Sequence, residues 1–120
     1  EEMLATDIPH LRNELLSIYG IGQETADSII LYAACKPVFV IDAYTHRIMD
    51  RLGLNPDKGN YTSLQSIFIG NLPPDAKLFN EYHALFVRHG KETCKKSPLC
   101  QHCCLIDLCH LQSSVTLRYT

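Results

Sequence analysis

A group of cysteines near the end of the chain carries its most concentrated chemistry. Five of the six cysteines in the 120-residue sequence fall between positions 94 and 109. This crowding favours a metal site over disulfides, which link distant segments of secreted proteins. A single C-x-x-C with two outlying cysteines favours a [4Fe-4S] cluster, with zinc as the alternative. Cys104 is an alternative to Cys103 as third ligand in the predicted set, which is Cys94, Cys100, Cys103 and Cys109.

A pair of glycines separates two predicted helices early in the chain. Gly20-Ile21-Gly22 interrupts apolar residues that have helical spacing on both sides. The glycines permit a tight turn and leave backbone N–H groups exposed where the second helix begins, and such a terminus attracts phosphate. Taken alone, this short motif is more often a plain corner between two helices.

Asp42 is the candidate catalytic carboxylate. It follows the apolar stretch Val38–Ile41 and precedes a predicted helix. An aspartate in this position is usually a helix cap. A partly buried carboxylate can also stabilise a developing oxocarbenium ion and orient or deprotonate a water molecule.

The charge of the chain is unevenly distributed. The net charge is −2, with 46% hydrophobic and 20% charged residues, which indicates a packed globular chain and argues against a polycationic nucleic-acid binder. Residues 86–102, however, contain four bases and one acid. Two of these bases, Lys95 and Lys96, lie between the first two clustered cysteines. They are candidates for contacts with DNA phosphates, and ordinary solvated surface is the alternative.

These motifs, in this order, resemble one family. Over about residues 10–110 the chain resembles the C-terminal portion of the endonuclease III-like DNA glycosylases, in the HhH-GPD superfamily. The segment from Leu15 to Ala26 resembles the helix–hairpin–helix motif of that family, although Tyr19 stands where a proline is favoured. The resemblance implies that the four cysteines hold a structural [4Fe-4S] cluster, that Asp42 is the essential aspartate and that Arg47 matches a family arginine. It also implies DNA-binding roles for Gly20, Ile21, Gly22, Lys95 and Lys96.

One departure from the family bears on the reaction. Bifunctional members have a lysine where this chain has Glu24, and that lysine forms a Schiff base with the sugar before the strand is cleaved. Glutamate forms no imine, so the resemblance implies a DNA base-excision repair glycosylase that hydrolyses the N-glycosidic bond of a damaged or mispaired base. The alternatives are a bifunctional glycosylase/AP lyase (endonuclease III proper) and a non-catalytic, cluster-stabilised DNA-binding module. Glu24 itself is also explained as a first-turn acid favoured by the helix dipole.

The elements that must position these residues are all predicted to be α-helical. Apolar spacing and capping residues predict helices over 8–18, 23–35, 43–53, 61–70 and 75–90, with a short helix at 105–109. The fifth helix is expected to bury Leu78, Phe79, Tyr82, Leu85 and Phe86. We predict two domains: residues 1–58 with the hairpin and the aspartate, and residues 59–120 with the cluster loop at 93–110.

Length and termini predict the context of the chain. Members of the family are much longer, so we expect a fragment that lacks half of the base pocket and is capable of self-association through the uncovered face. The start of the sequence lacks a signal peptide, and the longest apolar run, 29–35, is too short to cross a bilayer. We therefore expect an intracellular location (cytoplasm or nucleoid) and no membrane partner. The expected partner is double-stranded DNA containing a damaged base.

Overall fold

Five α-helices make up most of the described chain. The computed structural model describes residues 7–55 and 59–109. The helices are α1 (Ile8–Leu16), α2 (Gln23–Tyr32), α3 (Ala43–Leu52), α4 (Tyr61–Asn71) and α5 (Ala76–Glu92), followed by two 3-10 turns at Cys100–His102 and Ile106–Leu108. These residues contain no strand, which confirms the all-α prediction. The predicted domain boundary at 58/59 and the last residue of the 93–110 loop involve positions outside the described residues, and the two-domain division stays a prediction.

Side-chain caps explain where most of the helices begin. Each capping side chain accepts a backbone N–H from the first turn of its helix, and the caps are Asp7, Asp42, Asn60 and Asp75. α3 ends at Gly53, whose φ of 76° is in the left-handed region typical of a glycine cap. Within the described residues, no helix is both long and apolar enough to cross a bilayer.

Two helices end earlier than predicted. α1 ends at Leu16, and Ile18, the last residue of the predicted helix, is 46% exposed. α2 ends at Tyr32, and Cys35 then adopts a φ of 54°. Lys36 precedes a proline, which disfavours helical backbone at that position, so the chain turns before it. The 3.6-residue pattern of apolar side chains therefore extends further than the helices themselves.

The core is built around the link between α2 and α3. Residues 38–41 are all buried, and Phe39 is fully enclosed. The ring of Phe39 stacks on that of Phe68 at 4.0 Å and meets that of Phe79 edge-on at 5.3 Å. Leu85, predicted to be buried, is 64% exposed. Residues 79, 82 and 86, spaced by three and four, form the inward stripe of α5, and Leu85 lies beside that stripe.

A buried carboxylate ties three helices and the link together. Asp27 on α2 is fully buried and accepts hydrogen bonds from Arg12 Nε at 2.8 Å, the Tyr61 hydroxyl at 2.7 Å and Gln65 Nε2 at 2.8 Å. Gln65 Nε2 also donates to the carbonyl of Phe39 at 2.7 Å. The hydrogen bond to Asp27 raises the pKa of Arg12, while burial and Asp27 raise the pKa of Tyr61 far above its usual range. Asp27 therefore fixes the mutual positions of α1, α2 and α4.

Close backbone packing joins α3 to α5. Gly90 is buried on α5, and a Cβ atom at that position would lie 2.8 Å from the Cβ of Tyr44 on α3. Arg47 Nη2 donates to the carbonyl of Gly90 at 2.9 Å, and the guanidinium carbon lies 5.4 Å from the centre of the Tyr44 ring. This contact requires glycine at position 90, because any larger residue displaces the tyrosine.

Candidate active site and cysteine cavity

The predicted hairpin is present between α1 and α2. Gly20 has a φ of 89°, a conformation that favours glycine, and Ile21 N donates to the carbonyl of Ile18 at 3.1 Å. Gly22 caps α2 without a side-chain hydrogen bond, unlike the caps of the other four described helices. Gly20 and Gly22 are exposed, while Ile21 is half-buried against the core. The start of α2 therefore has no capping side chain of its own, as an anion-binding helix terminus requires.

The Asp42 carboxylate is held on both of its oxygens. Its Oδ1 accepts from the backbone N–H of Thr45 at 2.7 Å and from the Thr45 hydroxyl at 2.9 Å. Its Oδ2 lies 2.9 Å from His83 Nε2 on α5. The side chain of Asp42 is 12% exposed, so it is largely shielded but still reached from one side. Asp42 is thus a helix cap and, at the same time, one partner of a contact between helices.

The hydrogen bonds of Asp42 keep it ionised. Burial alone would raise its pKa, but the hydrogen bonds from His83 and Thr45 outweigh that effect and leave the pKa below its ordinary value. The group is therefore a carboxylate at neutral pH. A carboxylate with a lowered pKa is a weak base and retains its full negative charge, which suits electrostatic stabilisation better than proton abstraction.

Asp42 and Glu24 line the same cleft. This open space measures about 570 Å³, and its other lining residues are Ile41, Ala43, His46 and Tyr61. Glu24 is exposed in the first turn of α2, directly after the hairpin. The structure therefore brings together the two positions at which the family resemblance locates the reaction. Among the described residues, no lysine lines this cleft.

A tyrosine and a histidine extend the carboxylate site, and sequence reasoning missed both. The hydroxyl of Tyr32, the last residue of α2, lies 2.5 Å from His83 Nδ1, while His83 Nε2 contacts Asp42. The side chain of His83 is 19% exposed. Position 83 lies between the apolar positions of α5, and no motif or spacing in the sequence marks it as a functional residue. Its role depends on the packing of α2, α3 and α5 around one point.

The four predicted cysteine ligands line one cavity. The cavity is lined by Cys94, Cys100, Cys103 and Cys109 together with Thr93, Pro98, Leu99 and Ile106. Cys104 is exposed and lines a different groove, with Leu85, His89 and Leu105 among its neighbours. The geometry therefore separates the two adjacent cysteines that the sequence left as alternatives.

The donor set of the cavity matches a thiolate-bound metal cluster. Burial, together with the neighbouring cysteines Cys104, Cys94 and Cys109, raises the pKa of the Cys103 thiol. Several thiols at this spacing ionise together only where a cation offsets their charge. Within the described residues, no group of three or more His, Cys, Asp or Glu is placed to hold a metal ion. The four cysteines instead line the wall of the common cavity, without converging on a single point.

Two arginines on α3 hold the start of the cysteine loop. Arg47 donates through Nε and Nη2 to the carbonyl of Cys94, at 3.0 and 2.8 Å. Arg51, which sequence reasoning missed, donates to the carbonyls of Lys95 and Lys96 and lies 3.3 Å from Cys94 Sγ. The side chains of Lys95 and Lys96 are exposed. The backbone of the basic segment is therefore fixed while its charged groups remain in solvent.

The fold and the site define a class of protein: it is all-helical, has a hairpin between its first two helices and has a loop lined by cysteines. Comparisons with known proteins narrow that class. The chain is 50% identical over 111 residues to a Methanocaldococcus jannaschii protein named as a candidate DNA repair glycosylase, covering 91% of this chain and 50% of the relative. It is 34% identical over 104 residues to Endonuclease III of Sulfolobus acidocaldarius, covering 86% and 46%. Endonuclease III of Bacillus subtilis is 27% identical over 104 residues, covering 86% and 47%. No family model matches the chain.

A solved structure supports the same fold. The chain matches a structure described as a non-covalent Endonuclease III-DNA complex with a TM-score of 0.80 and 24% identity, covering 92% of this chain and 51% of that one. The chain thus resembles the endonuclease III-like DNA glycosylases, which confirms the resemblance that the sequence predicted. It spans about half the length of the curated relatives that it matches.

Proposed function

We propose that this chain forms part of a DNA base-excision repair glycosylase that hydrolyses the N-glycosidic bond of a damaged or mispaired base. The observation that carries the proposal is the shared cleft, which is lined by the ionised, hydrogen-bonded Asp42 and by Glu24, and by no lysine among the described residues. An ionised carboxylate stabilises positive charge, whereas Glu24 is unable to attack a sugar as an amine does. This combination supports hydrolysis and disfavours the lyase alternative.

In the proposed mechanism, Asp42 acts on the sugar of an extruded nucleotide. The bond between C1′ and the base nitrogen breaks, and its electron pair leaves with the base, so positive charge develops on the sugar ring. The Asp42 carboxylate stabilises that charge. A water molecule adds at C1′ and gives up a proton to solvent, while the departing base takes up a proton. The product is an abasic site, and the DNA strand remains intact.

DNA binding is proposed for two surfaces on the described chain. The exposed Gly20 and Gly22 of the hairpin present backbone N–H groups that suit a single phosphate, whereas the Ile21 N–H already donates to the carbonyl of Ile18. Lys95 and Lys96 supply positive charge from the cysteine loop. Replacing both lysines by glutamine is expected to weaken binding to all duplexes alike and to reduce the slope of log K against log salt by roughly 2. A preference that changes with DNA sequence would instead indicate base contacts.

The cysteine cavity is proposed to hold a [4Fe-4S] cluster through Cys94, Cys100, Cys103 and Cys109. Four thiolate donors around one cavity suit that group. A bound cluster would cross-link the loop. Arg47 holds the backbone carbonyl of Cys94, and Arg51 holds those of Lys95 and Lys96. Zinc stays the alternative. Iron and sulfide analysis of the purified full-length protein, with an absorbance band near 400 nm, distinguishes the two.

Asp42→Asn in the full-length protein tests the proposed reaction. Asparagine is also a good helix cap, so the fold is expected to be retained while the charge is lost. Single-turnover base release is measured on duplexes containing a methylated purine, an oxidised pyrimidine or uracil, with heat-labile abasic sites as the readout. We expect a loss of at least roughly 100-fold, comparable to removing one electrostatic contact to a transition state. An unchanged rate would support the non-catalytic DNA-binding module.

Borohydride trapping addresses the lyase alternative. A bifunctional enzyme forms an imine with the abasic sugar, and borohydride reduces that imine to a stable covalent adduct. The proposal predicts no adduct between the full-length protein and abasic DNA.

Self-association through an uncovered face stays a prediction, which sedimentation of the chain tests directly.

A further inference from the structure

The structure joins Tyr32, His83 and Asp42 in a chain of short contacts. The Tyr32 hydroxyl lies 2.5 Å from His83 Nδ1, and His83 Nε2 lies 2.9 Å from Asp42 Oδ2. These residues come from three places: the last turn of α2, the middle of α5 and the cap of α3. The Tyr32 and His83 rings are 5.8 Å apart. Such a chain couples the orientations of the three side chains.

The chain of contacts also limits which proton positions fit. A neutral imidazole has one donor and one acceptor nitrogen. An ionised Asp42 only accepts, so His83 Nε2 must donate to Oδ2. Nδ1 is then the acceptor and receives the Tyr32 O–H. Burial, followed by the charge of Asp42, raises the pKa of Tyr32, so the phenol keeps the proton that it donates.

The hydrogen bonds occupy nearly all of the carboxylate's acceptor positions. Oδ1 already accepts two hydrogen bonds, both from Thr45, and Oδ2 accepts one from His83. A carboxylate oxygen has two lone-pair sites, so one acceptor position on Oδ2 is left. Asp42 lines the cleft, and this position is the one with which it can meet a sugar or a water molecule there.

We propose that His83 is the positioning residue of Asp42: it holds Oδ2 so that the remaining acceptor position of that oxygen faces the cleft, and Tyr32 orients the His83 ring through its hydrogen bond to Nδ1. This inference rests on the proposed function, because it presumes that Asp42 acts on the sugar. His83 itself touches no reacting atom. It acts by fixing the direction of the carboxylate, to which catalysis by a placed charge is sensitive.

The first experiment tests the arrangement without a substrate. Nitrogen-15 NMR of the imidazole in the full-length protein at neutral pH reports which nitrogen carries the proton. We expect His83 to be in the Nε2–H form, and Tyr32→Phe to shift the Nδ1 resonance because the hydrogen bond that this nitrogen accepts is lost, while the tautomer is kept. A wild-type His83 in the Nδ1–H form, or a spectrum unchanged by Tyr32→Phe, would overturn the assignment.

The second experiment tests the consequence for the reaction. Single-turnover base release is compared for His83→Ala, His83→Gln and, as a control on an exposed histidine, His10→Ala. His83→Ala is expected to lose roughly 10- to 100-fold in rate, with binding to a duplex containing a tetrahydrofuran abasic analogue unchanged. His83→Gln places an amide N–H near the position of Nε2 and is expected to recover most of the rate. His10→Ala is expected to match the wild type.

The outcomes separate this inference from the proposed function. If Asp42→Asn leaves base release unchanged, the proposed function fails. If Asp42→Asn abolishes it while His83→Ala retains the full rate, only the positioning role fails. A His83→Gln variant as slow as His83→Ala would also contradict it, because a donor at that position would then not matter. In an Asp42→Asn background, His83→Ala should have no further effect, and unfolding midpoints identify any variant that has lost its fold.

Discussion

Replacing the buried Asp27 by asparagine is expected to be among the most destabilising isosteric changes in this chain. The substitution keeps the shape of the side chain but replaces one acceptor oxygen by an NH2 group. Oδ2 of Asp27 accepts from Tyr61 at 2.7 Å, from Gln65 at 2.8 Å and, at a longer 3.3 Å, from Arg12 Nη2. An amide nitrogen at that position meets three donors and accepts from none of them.

The magnitude follows from the two short hydrogen bonds. Hydrogen bonds to charged groups contribute about 1.5–3 kcal/mol each, and breaking a buried ion pair costs about 3–5 kcal/mol. The Arg12 side chain is 24% exposed, so water still solvates part of its charge and the lower end applies. We therefore expect the free energy of unfolding to fall by about 3 kcal/mol. Glu14→Gln is the matched control, because its pair with His10 is exposed and surface pairs contribute about 0–1 kcal/mol.

Urea unfolding followed by circular dichroism measures both variants. With a slope of about 1.5 kcal/mol per molar urea, Asp27→Asn is expected to move the midpoint down by about 2 M at an unchanged slope. A shift no larger than that of Glu14→Gln would refute the reasoning. It would mean that Tyr61 and Gln65 find other partners, and that Asp27 does not fix the helices in place.

Three further predictions concern packing, the cavity and pH. Gly90→Ala is expected to lower the free energy of unfolding by about 1–3 kcal/mol through overlap with the tyrosine packed on it. At the exposed helical Gly70 no atom lies within 4 Å of the place that a methyl group would take, so Gly70→Ala should raise that energy by about 0.5–1 kcal/mol; equal effects would contradict this account. Cys103→Ser is expected to remove the absorbance of the proposed cluster and Cys104→Ser to preserve it, and the reverse result would exchange the two assignments. Asp42→Ala is expected to cost about 0.5–2 kcal/mol at neutral pH as a lost cap. Because folding lowers the Asp42 pKa, this stabilisation is present above the unfolded value of about 3.9 and should vanish as pH falls through the lower folded value, which acid titration of both proteins checks.

The sequence allowed the local features of this fold to be predicted, and the long-range ones only in part. Caps and glycines located the helix starts, because those signals act within one turn of the chain. Helix ends were less predictable, since apolar spacing continued past Leu16 and Tyr32 while the backbone turned away. Leu85 was misassigned because a helical stripe of apolar residues has uncertain edges until its partner helix is known.

The candidate site also has a part that the sequence predicts and a part that only the fold reveals. Asp42, Glu24 and the cysteines belong to motifs with a defined spacing, so the sequence alone identifies them as candidates. His83 and Arg51 at the site, and Asp27 in the core, contact residues far away in the sequence: Tyr32 lies 51 residues from His83, Lys96 lies 45 from Arg51, and Tyr61 lies 34 from Asp27. No local pattern marks such residues, because their function is created by packing. Only the folded chain brings them together.

Helix α3 connects the candidate catalytic carboxylate to the cysteine loop at a fixed separation. Its ten residues span about 15 Å, with Asp42 capping one end and Arg51 holding the loop near the other. Inserting one residue within the helix would rotate the arginines by about 100° relative to Asp42. The arginines would then no longer point towards the cysteine loop while Asp42 keeps its place. An insertion after Gly53 would leave the position of Asp42 relative to the arginines unchanged. We therefore expect α3 to tolerate substitutions at exposed positions far better than a change in its length.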